Sequence, residues 1–414
     1  MDSDVATLVD HIHHLYAKTK YKPSTPHQFT ILAAFALNLA DSSESSSWKV
    51  ISLATGAKCL PTLRFPVAGD ALHDSHAEVL ARRGAVSWFY REIQRCAAGH
   101  KSTWIETHPN RPTWRLTPGV ALYMYVSTLP CGDASTRFLA HTQDPTTAAS
   151  MSLVTFSPLP PTSASRGRTD FSRLGALRTK PSRADAPPTM CMTCADKMAL
   201  WSVVGVQGAL ASVLLEPVYI YAVVIGDVQE ELRDVVRGDC ERAWRDRLGT
   251  VDGLQEPYSL RTPEIHFTPK PFVYSRNSLE AQSPHFPPAS ASNESLCWIA
   301  DTPNSHEVLA GGIRRGVSAK NRSRPAHRPQ LCKASLFALH LDTLSTLDRP
   351  LPPEDMTYFD LKHIAFTNGY QHAKDALRGK GRVFEGWIVS GRPWESFDMR
   401  GVLHPSENPA VDGN

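Results

Sequence analysis

The chain has 414 residues, 42% of them apolar and 21% charged, with a net charge of +3. That is length for a large buried core, too apolar for a disordered chain, and too near neutrality for nucleic-acid binding by overall charge, so such binding has to come from local patches. The cysteines are scattered apart from the pair Cys191 and Cys194, and the acidic start Met1, Asp2, Ser3, Asp4 leads into no apolar core. A reducing compartment, cytoplasm or nucleus, is expected, with no secretory leader.

In chain order, apolar spacing predicts a helix over 29–39, a strand over 50–54, a helix over 76–94 capped by Asp74 or Ser75, and a strand over 121–126. Residues 41–47 and about 142–188 are rich in Ser, Thr and Pro, which predicts a short mobile loop and a long, partly disordered insert. The stretch 198–215 carries no charge and has the length of a membrane span. With Trp201, Ser202, Gly205, Gln207, Gly208 and Ser212 in it, a buried helix leading into a strand over 218–225 is expected instead. Residues 267–292, with Pro269, Pro271, Pro284, Pro287 and Pro288, read as an irregular connection. The motifs below are spread over nearly the whole chain, so one domain over 1–414 is expected, with a core at about 25–230 and a C-terminal part at 231–405.

The chemistry is carried by His76-Ala77-Glu78, Pro130-Cys131 and Cys194. One His and two Cys supply three zinc ligands and leave a fourth tetrahedral position for water, the arrangement of a catalytic zinc. Glu78, two residues from His76, is placed to handle protons rather than to ligate. H-x-E followed by P-C and a further Cys is the signature of zinc nucleobase deaminases. Each piece alone is common: Pro130 to Asp133 is more often a turn before a helix, and Cys191-Met192-Thr193-Cys194 reads equally as half of a structural zinc site or a redox pair. No second C-x-x-C completes a four-cysteine site, which favours the three-ligand reading. His76 and Cys131 are expected at the starts of two helices, whose positive dipole ends favour a thiolate and a hydroxide.

Small cytidine-type deaminases separate their two cysteines by two residues, whereas a long segment separates Cys131 from Cys194. That segment ends in Leu177-Arg178-Thr179-Lys180, and the second cysteine opens Cys194-Ala195-Asp196-Lys197 on the way to Gln207-Gly208. Together with Lys49 to Lys58-Cys59 and His76 to Arg82-Arg83, these runs resemble the catalytic domain shared by the double-stranded-RNA adenosine deaminases and the eukaryotic tRNA adenosine-37 deaminase, over about 25–405. The resemblance implies a cytidine-deaminase-like three-layer α/β/α core with a mixed sheet, elaborated by a helical C-terminal region that encloses a polyanion. It implies zinc-dependent conversion of adenosine to inosine and ammonia, with Glu78 moving protons. By the same resemblance Asp74 and Lys197 form a relay towards the metal, and Lys58 and Lys180 contact substrate. The enclosed polyanion would be inositol hexakisphosphate, held by Arg82, Arg83, Lys197, Trp201, Gln207, Lys333, Tyr358, Lys362, Tyr370, Lys374 and Trp394. Without the resemblance, the pairs Tyr358/Lys362 and Tyr370/Lys374, each four apart, read as amphipathic helix faces with exposed lysines. Leu200, Ala209 and His73 depart from the editors' Arg, Ser and Asn.

Two basic stretches, Arg166 to Arg183 and Arg314 to Lys333, read either as phosphate-binding patches or as solvated loops. About 25 residues precede the catalytic region, which leaves no room there for a separate RNA-binding domain. The editors place Gly-Glu-Gly before the second cysteine to replace a flipped base, where this chain has Pro181 to Pro188. An unpaired loop base needs no such wedge, so the tRNA-Ala anticodon loop is the expected substrate. Double-stranded RNA and a non-catalytic RNA-binding role are the alternatives.

Overall fold

The run Leu32 to Leu37 is apolar at every position and forms a strand rather than the helix expected over 29–39. The computed structural model describes residues 2–39, 47–142, most of 159–180, and 186–404 apart from 284, 319, 323 and 365–368. In it, β1 (Leu32–Leu39) is an inner strand of an eight-stranded sheet. Leu32, Ala34 and Ala36 face one layer of helix while Ala33, Phe35 and Leu37 face another. A strand covered on both sides loses the apolar-polar alternation by which strands are recognised.

The sheet continues with β2 (Ser47–Thr55), β3 (Val120–Val126), β4 (Ile220–Ile225), β5 (Glu264–Phe267), β6 (Glu294–Ile299), β7 (His306–Ala310) and β8 (Ile313–Arg314), in the spatial order β5, β4, β3, β1, β2, β6, β7, β8. Strands β3, β4 and β5 run parallel to one another, and every other pairing is antiparallel. The sheet is therefore mixed, and four of its strands lie beyond the core expected to end near 230. The C-terminal part is not only helical: it extends the sheet.

Helix α1 (Asp2–Lys18) covers one face with Val5, Leu8, Val9, Ile12 and Tyr16. That i, i+3, i+4, i+7 spacing was the available sign of this helix. The other face carries α2 (Ala77–Ala97), which buries Leu80, Ala81, Ala85, Trp88, Phe89 and Ile93, and α3 (Cys194–Val204). The predicted helix over 198–215 is interrupted at Gly205, which adopts a φ of +73° and closes α3; a short turn over Gly208–Ala211 precedes β4. Among the described residues no helix is long and apolar enough to cross a membrane.

Helix α4 (Arg233–Trp244) packs beside α3, and α5 (Lys333–Thr346) lies along α2, where the Tyr90 hydroxyl and His340 Nδ1 are 3.1 Å apart. Two shorter helices, α6 (Tyr358–Ile364) and α7 (Tyr370–Arg378), complete this end. The stretch 267–292 is less irregular than expected, since it contains a helix over Arg276–Gln282 capped by Ser275. The predicted loop over 41–47 falls outside the described residues up to 46, as does much of the predicted insert over 142–188. Within that insert, Ser165–Arg166 pairs with Arg178–Thr179.

Candidate active site

His76 stands at the N-cap of α2, which puts Glu78 in the first turn of the same helix. Neither Asp74 nor Ser75 caps it; Asp74 Oδ1 instead accepts the His76 backbone N–H at 3.2 Å. Cys194 is the first residue of α3, whose N-cap is Thr193. Cys131 lies in a turn two residues ahead of a 3-10 segment, Asp133–Ser135, that continues into a short α-helix over Thr136–His141. Gly132 makes the turn with a φ of +115°, in a space where a Cβ would meet the Thr193 hydroxyl at 2.2 Å. The dipole that favours the Cys131 thiolate is that of α3, delivered by the Cys194 N–H at 3.4 Å.

These three side chains converge. His76 Nδ1 is 3.7 Å from Cys131 Sγ and 3.6 Å from Cys194 Sγ. Zinc bonds of about 2.0 Å to nitrogen and 2.3 Å to sulfur, at tetrahedral angles, separate such donors by about 3.6 Å, so the set fits that ion. Hydrogen bonding from Cys194, opposed by burial and helped by Lys180 and His76, holds the Cys131 thiol well below its ordinary pKa. Glu78 is 1% exposed, and its Oε2 has no hydrogen-bond partner among the described residues. Burial raises the pKa of this carboxyl, against the pull of His76. An unpartnered buried carboxylate oxygen beside three metal donors is what a proton carrier awaiting water and substrate requires.

Lys180, expected against substrate, is engaged by groups of the candidate metal site. It is 2% exposed and donates to both Asp74 oxygens, at 3.1 and 3.0 Å, and to Cys194 Sγ at 3.2 Å. Lys197 also donates to Asp74 Oδ2. Burial alone would raise the Asp74 pKa, but Lys180 and Lys197 carry it well below the ordinary carboxylate range. Asp74 and Lys197 are therefore paired, and Lys180 joins them behind the three candidate metal donors, where outer hydrogen bonds would orient the ligands of a bound ion. Lys58, by contrast, is exposed on a short strand that pairs with Asp74–His76.

Sequence reasoning missed the residues that brace the cysteine loops. Asp133 accepts Arg242 Nε at 3.1 Å and Gly175 N–H at 2.7 Å, and Arg242 also donates to the Asp133 carbonyl at 3.0 Å. Asp196 takes Arg247 at 2.8 Å and the Arg178 backbone N–H at 3.0 Å. Asp133 and Asp196 stand two residues after Cys131 and Cys194, a spacing that was visible. Their arginine partners come from α4 and beyond, which no local pattern announces. Arg178 and Lys180 are thus internal and not part of a phosphate-binding face. In the second basic stretch, Arg314 pairs with Glu307 at 3.5 Å and Arg315 with Glu294 at 3.4 Å, while Lys320, Arg322 and Arg324 remain exposed.

A second cluster of cations lies where the C-terminal helices meet α2. Arg82 donates to the Val206 carbonyl at 2.6 Å and lies over Trp201, and Arg83 donates to the Leu331 carbonyl at 2.5 Å. Lys333 and Lys362 share Glu395, at 2.8 and 2.7 Å. Burial would raise the Glu395 pKa, yet these lysines lower it to about 2. The cations fare worse. Burial, with Arg378 and Lys362 nearby, lowers Lys374 to about 7, and burial lowers Lys333 to about 8. Tyr358 and Tyr370 are close enough to these cations to influence them; Trp394 packs on Phe65. Gln207 spends its amide on Val204 and Val218, so it holds the bend after α3 and is a weak candidate for anion binding. The lysines of the two amphipathic helices, Lys362 and Lys374, are half-buried and not fully exposed.

The family model described as the adenosine-deaminase (editase) domain matches residues 52–390. The tRNA-specific adenosine deaminase 1 of Schizosaccharomyces pombe is 28% identical over 349 residues, covering 82% of each chain. That of Homo sapiens is 26% identical over 497 aligned positions, covering 91% of this chain and 96% of its own. The double-stranded RNA-specific editase Adar of Drosophila melanogaster is 30% identical over 228 residues, which are 52% of this chain and 32% of its own. Because the matched span takes in the metal donors, Glu78 and most of the sheet that holds them, the chain belongs to the adenosine-deaminase (editase) domain family.

Proposed function

We propose that this protein converts adenosine to inosine in tRNA, at position 37 beside the anticodon of tRNA-Ala, using one zinc ion. The observation that carries the chemistry is Glu78 Oε2, buried without a partner beside His76, Cys131 and Cys194. Zinc, when held by those three residues, supplies the Lewis acidity that makes water a nucleophile near neutral pH. Glu78 takes one proton from the attacking water and delivers it to N1 of adenine, then takes the second from the new C6 hydroxyl and delivers it to the amine, which departs as ammonia. Asp74 holds the His76 backbone and Lys180, and Lys180 steadies the Cys194 sulfur. Lys58 and the exposed Lys320, Arg322 and Arg324 are the candidates for contact with RNA phosphates.

For the substrate, support comes from the extent of the matches: the tRNA-specific relatives align over most of both chains, the double-stranded-RNA editase over about half of this one. Inositol hexakisphosphate is the proposed occupant of the second cluster, because cations buried around one carboxylate cost several kcal/mol per unpaired ion unless a polyvalent acceptor meets them. The test is incubation of purified protein with alanine tRNA and with a perfect RNA duplex, scoring inosine by position. Inosine at position 37 of the tRNA is expected; inosine confined to the duplex would favour the editing alternative, and none in either would overturn the activity.

A further inference from the structure

Cys59 and Cys191 take no part in the chemistry described above, yet they meet beside it. Their sulfurs and an Asp74 oxygen lie within 4.8 Å of one another. Cys59 Sγ donates to Asp74 Oδ1 at 3.2 Å, and Cys191 Sγ faces the His73 carbonyl at 3.9 Å. The two segments are stitched to each other's surroundings by backbone hydrogen bonds: Leu60 N–H to the His73 carbonyl, Thr62 N–H to Pro188 and Lys180 N–H to Cys191. Closure of the sulfurs to the roughly 2.05 Å of a disulfide therefore calls for side-chain rotation between segments already held together. Cys191 is 1% exposed, whereas Cys59 is partly exposed and borders a small surface cavity with Lys58 and Leu60.

Two chemistries use a pair of thiols beside a carboxylate. A second metal ion would need Asp74, whose oxygens already accept Lys180 and Lys197, so a cation placed there would sit against two ammonium groups at close range. A disulfide brings no charge. We infer that Cys59 and Cys191 form a redox-active dithiol whose oxidation to a disulfide lowers catalysis by releasing Cys59 from Asp74. The oxidant class is a small-molecule disulfide such as oxidised glutathione. Cys59 first releases to solvent the proton it gives to Asp74, against the burial that raises its pKa; its thiolate attacks one glutathione sulfur and expels the first glutathione thiolate, and Cys191 then loses its proton, attacks the Cys59 sulfur and expels the second. Two thiols give up two electrons and two protons, and one disulfide becomes two reduced glutathiones. The effect reaches the site because the strand ending at Cys59 pairs directly with Asp74–His76, Cys59 opposite Asp74 and Ala57 opposite His76.

The activity half of this inference rests on the deaminase reading; the covalent half does not. Purified protein is equilibrated in glutathione buffers of graded ratio, then assayed for linked peptides by mass spectrometry, for bound zinc, and for inosine in tRNA. A peptide pair joined through Cys59 and Cys191 is expected, two hydrogens lighter than the dithiol. Activity should fall at the same midpoint by roughly tenfold or more, the scale on which groups behind a metal ligand act, with zinc retained and dithiothreitol restoring the rate. Cys191→Ser should stay active and lose the redox response, and Cys59→Ser is the second variant that should lose it. Glutathione adducts without the link, a link through Cys131 or Cys194 with loss of zinc, or a link with unchanged activity would each overturn the inference. A linked pair in protein that is inactive on tRNA even when reduced upholds the dithiol and counts against the substrate reading.

Discussion

The interior around Asp74 and the interior around Glu395 both keep several ionisable side chains out of water, and they do so differently. At Asp74, one carboxylate meets Lys180, Lys197 and the His76 backbone, and Lys180 also meets the Cys194 sulfur. Two thiols of the metal site add negative charge when ionised, so the cations there are matched. At Glu395, one carboxylate meets Lys333 and Lys362, while Lys374, Arg378, Arg82 and Arg83 are left over, each with a pKa lowered by burial. A region finished by its own side chains tolerates conservative change, whereas one that depends on an added anion should fail as a whole when the anion is withheld.

The largest expected effect breaks the comparison at that second region. In cells unable to make inositol hexakisphosphate, the protein should be insoluble or inactive, and Lys362→Glu should behave likewise in ordinary cells although its ammonium pairs with Glu395 and not with a candidate metal donor. Soluble, active enzyme from such cells, with no phosphorus-containing ligand in mass spectra of the denatured protein, would show the cluster to be self-sufficient.

At the first region the fold should survive while the chemistry goes. Glu78→Gln removes the proton carrier and keeps the shape, so it should retain one equivalent of zinc and lose roughly 10²–10⁴-fold or more in rate. Metal analysis beside a single-turnover assay decides this; loss of zinc along with activity would make Glu78 a ligand.

A smaller effect separates the two roles considered for Lys180. As a brace behind Cys194 its replacement by Met should lower kcat by about 10–100-fold and leave KM for RNA unchanged. As a substrate contact it would raise KM instead. Steady-state kinetics on tRNA therefore test where the buried ammonium acts.

The two regions also differed in how readable they were. The convergence of His76, Cys131 and Cys194 was legible because each stands in a short motif, and α2 and β3 had the expected periods. Strand β1 was misread because helices cover both its faces, which removes the alternation that marks a strand. The bond of Lys180 to Asp74 could not be read locally because Asp74 lies 106 residues away. Glu395 was missed altogether: its meaning comes from Lys333 and Lys362, brought to it from two different helices. The cation cluster became visible only through resemblance, since a lysine four residues after a tyrosine on a short helix ordinarily points to solvent.

The smallest effect, and the one that sharpens the comparison most, concerns pH. Without a bound anion the pKa of Lys374 falls from 10.5 to about 7, chiefly through burial. Between those values the unfolded chain binds a proton that the folded chain lacks. Stability therefore rises with pH across that window and is lowest below about 7. A bound polyphosphate keeps Lys374 charged when folded as it is when unfolded, and the rise disappears. Urea midpoints at pH 6.5 and 9 should accordingly match for protein purified with its anion, and Lys374→Met should lower both by removing a partner of the phosphates. If the cluster is empty, the wild-type midpoint climbs from pH 6.5 to pH 9, and Lys374→Met raises it at pH 6.5, because a buried, unpaired cation has been taken away. The sign of that one substitution distinguishes a cluster built around an anion from one that merely tolerates its own charge.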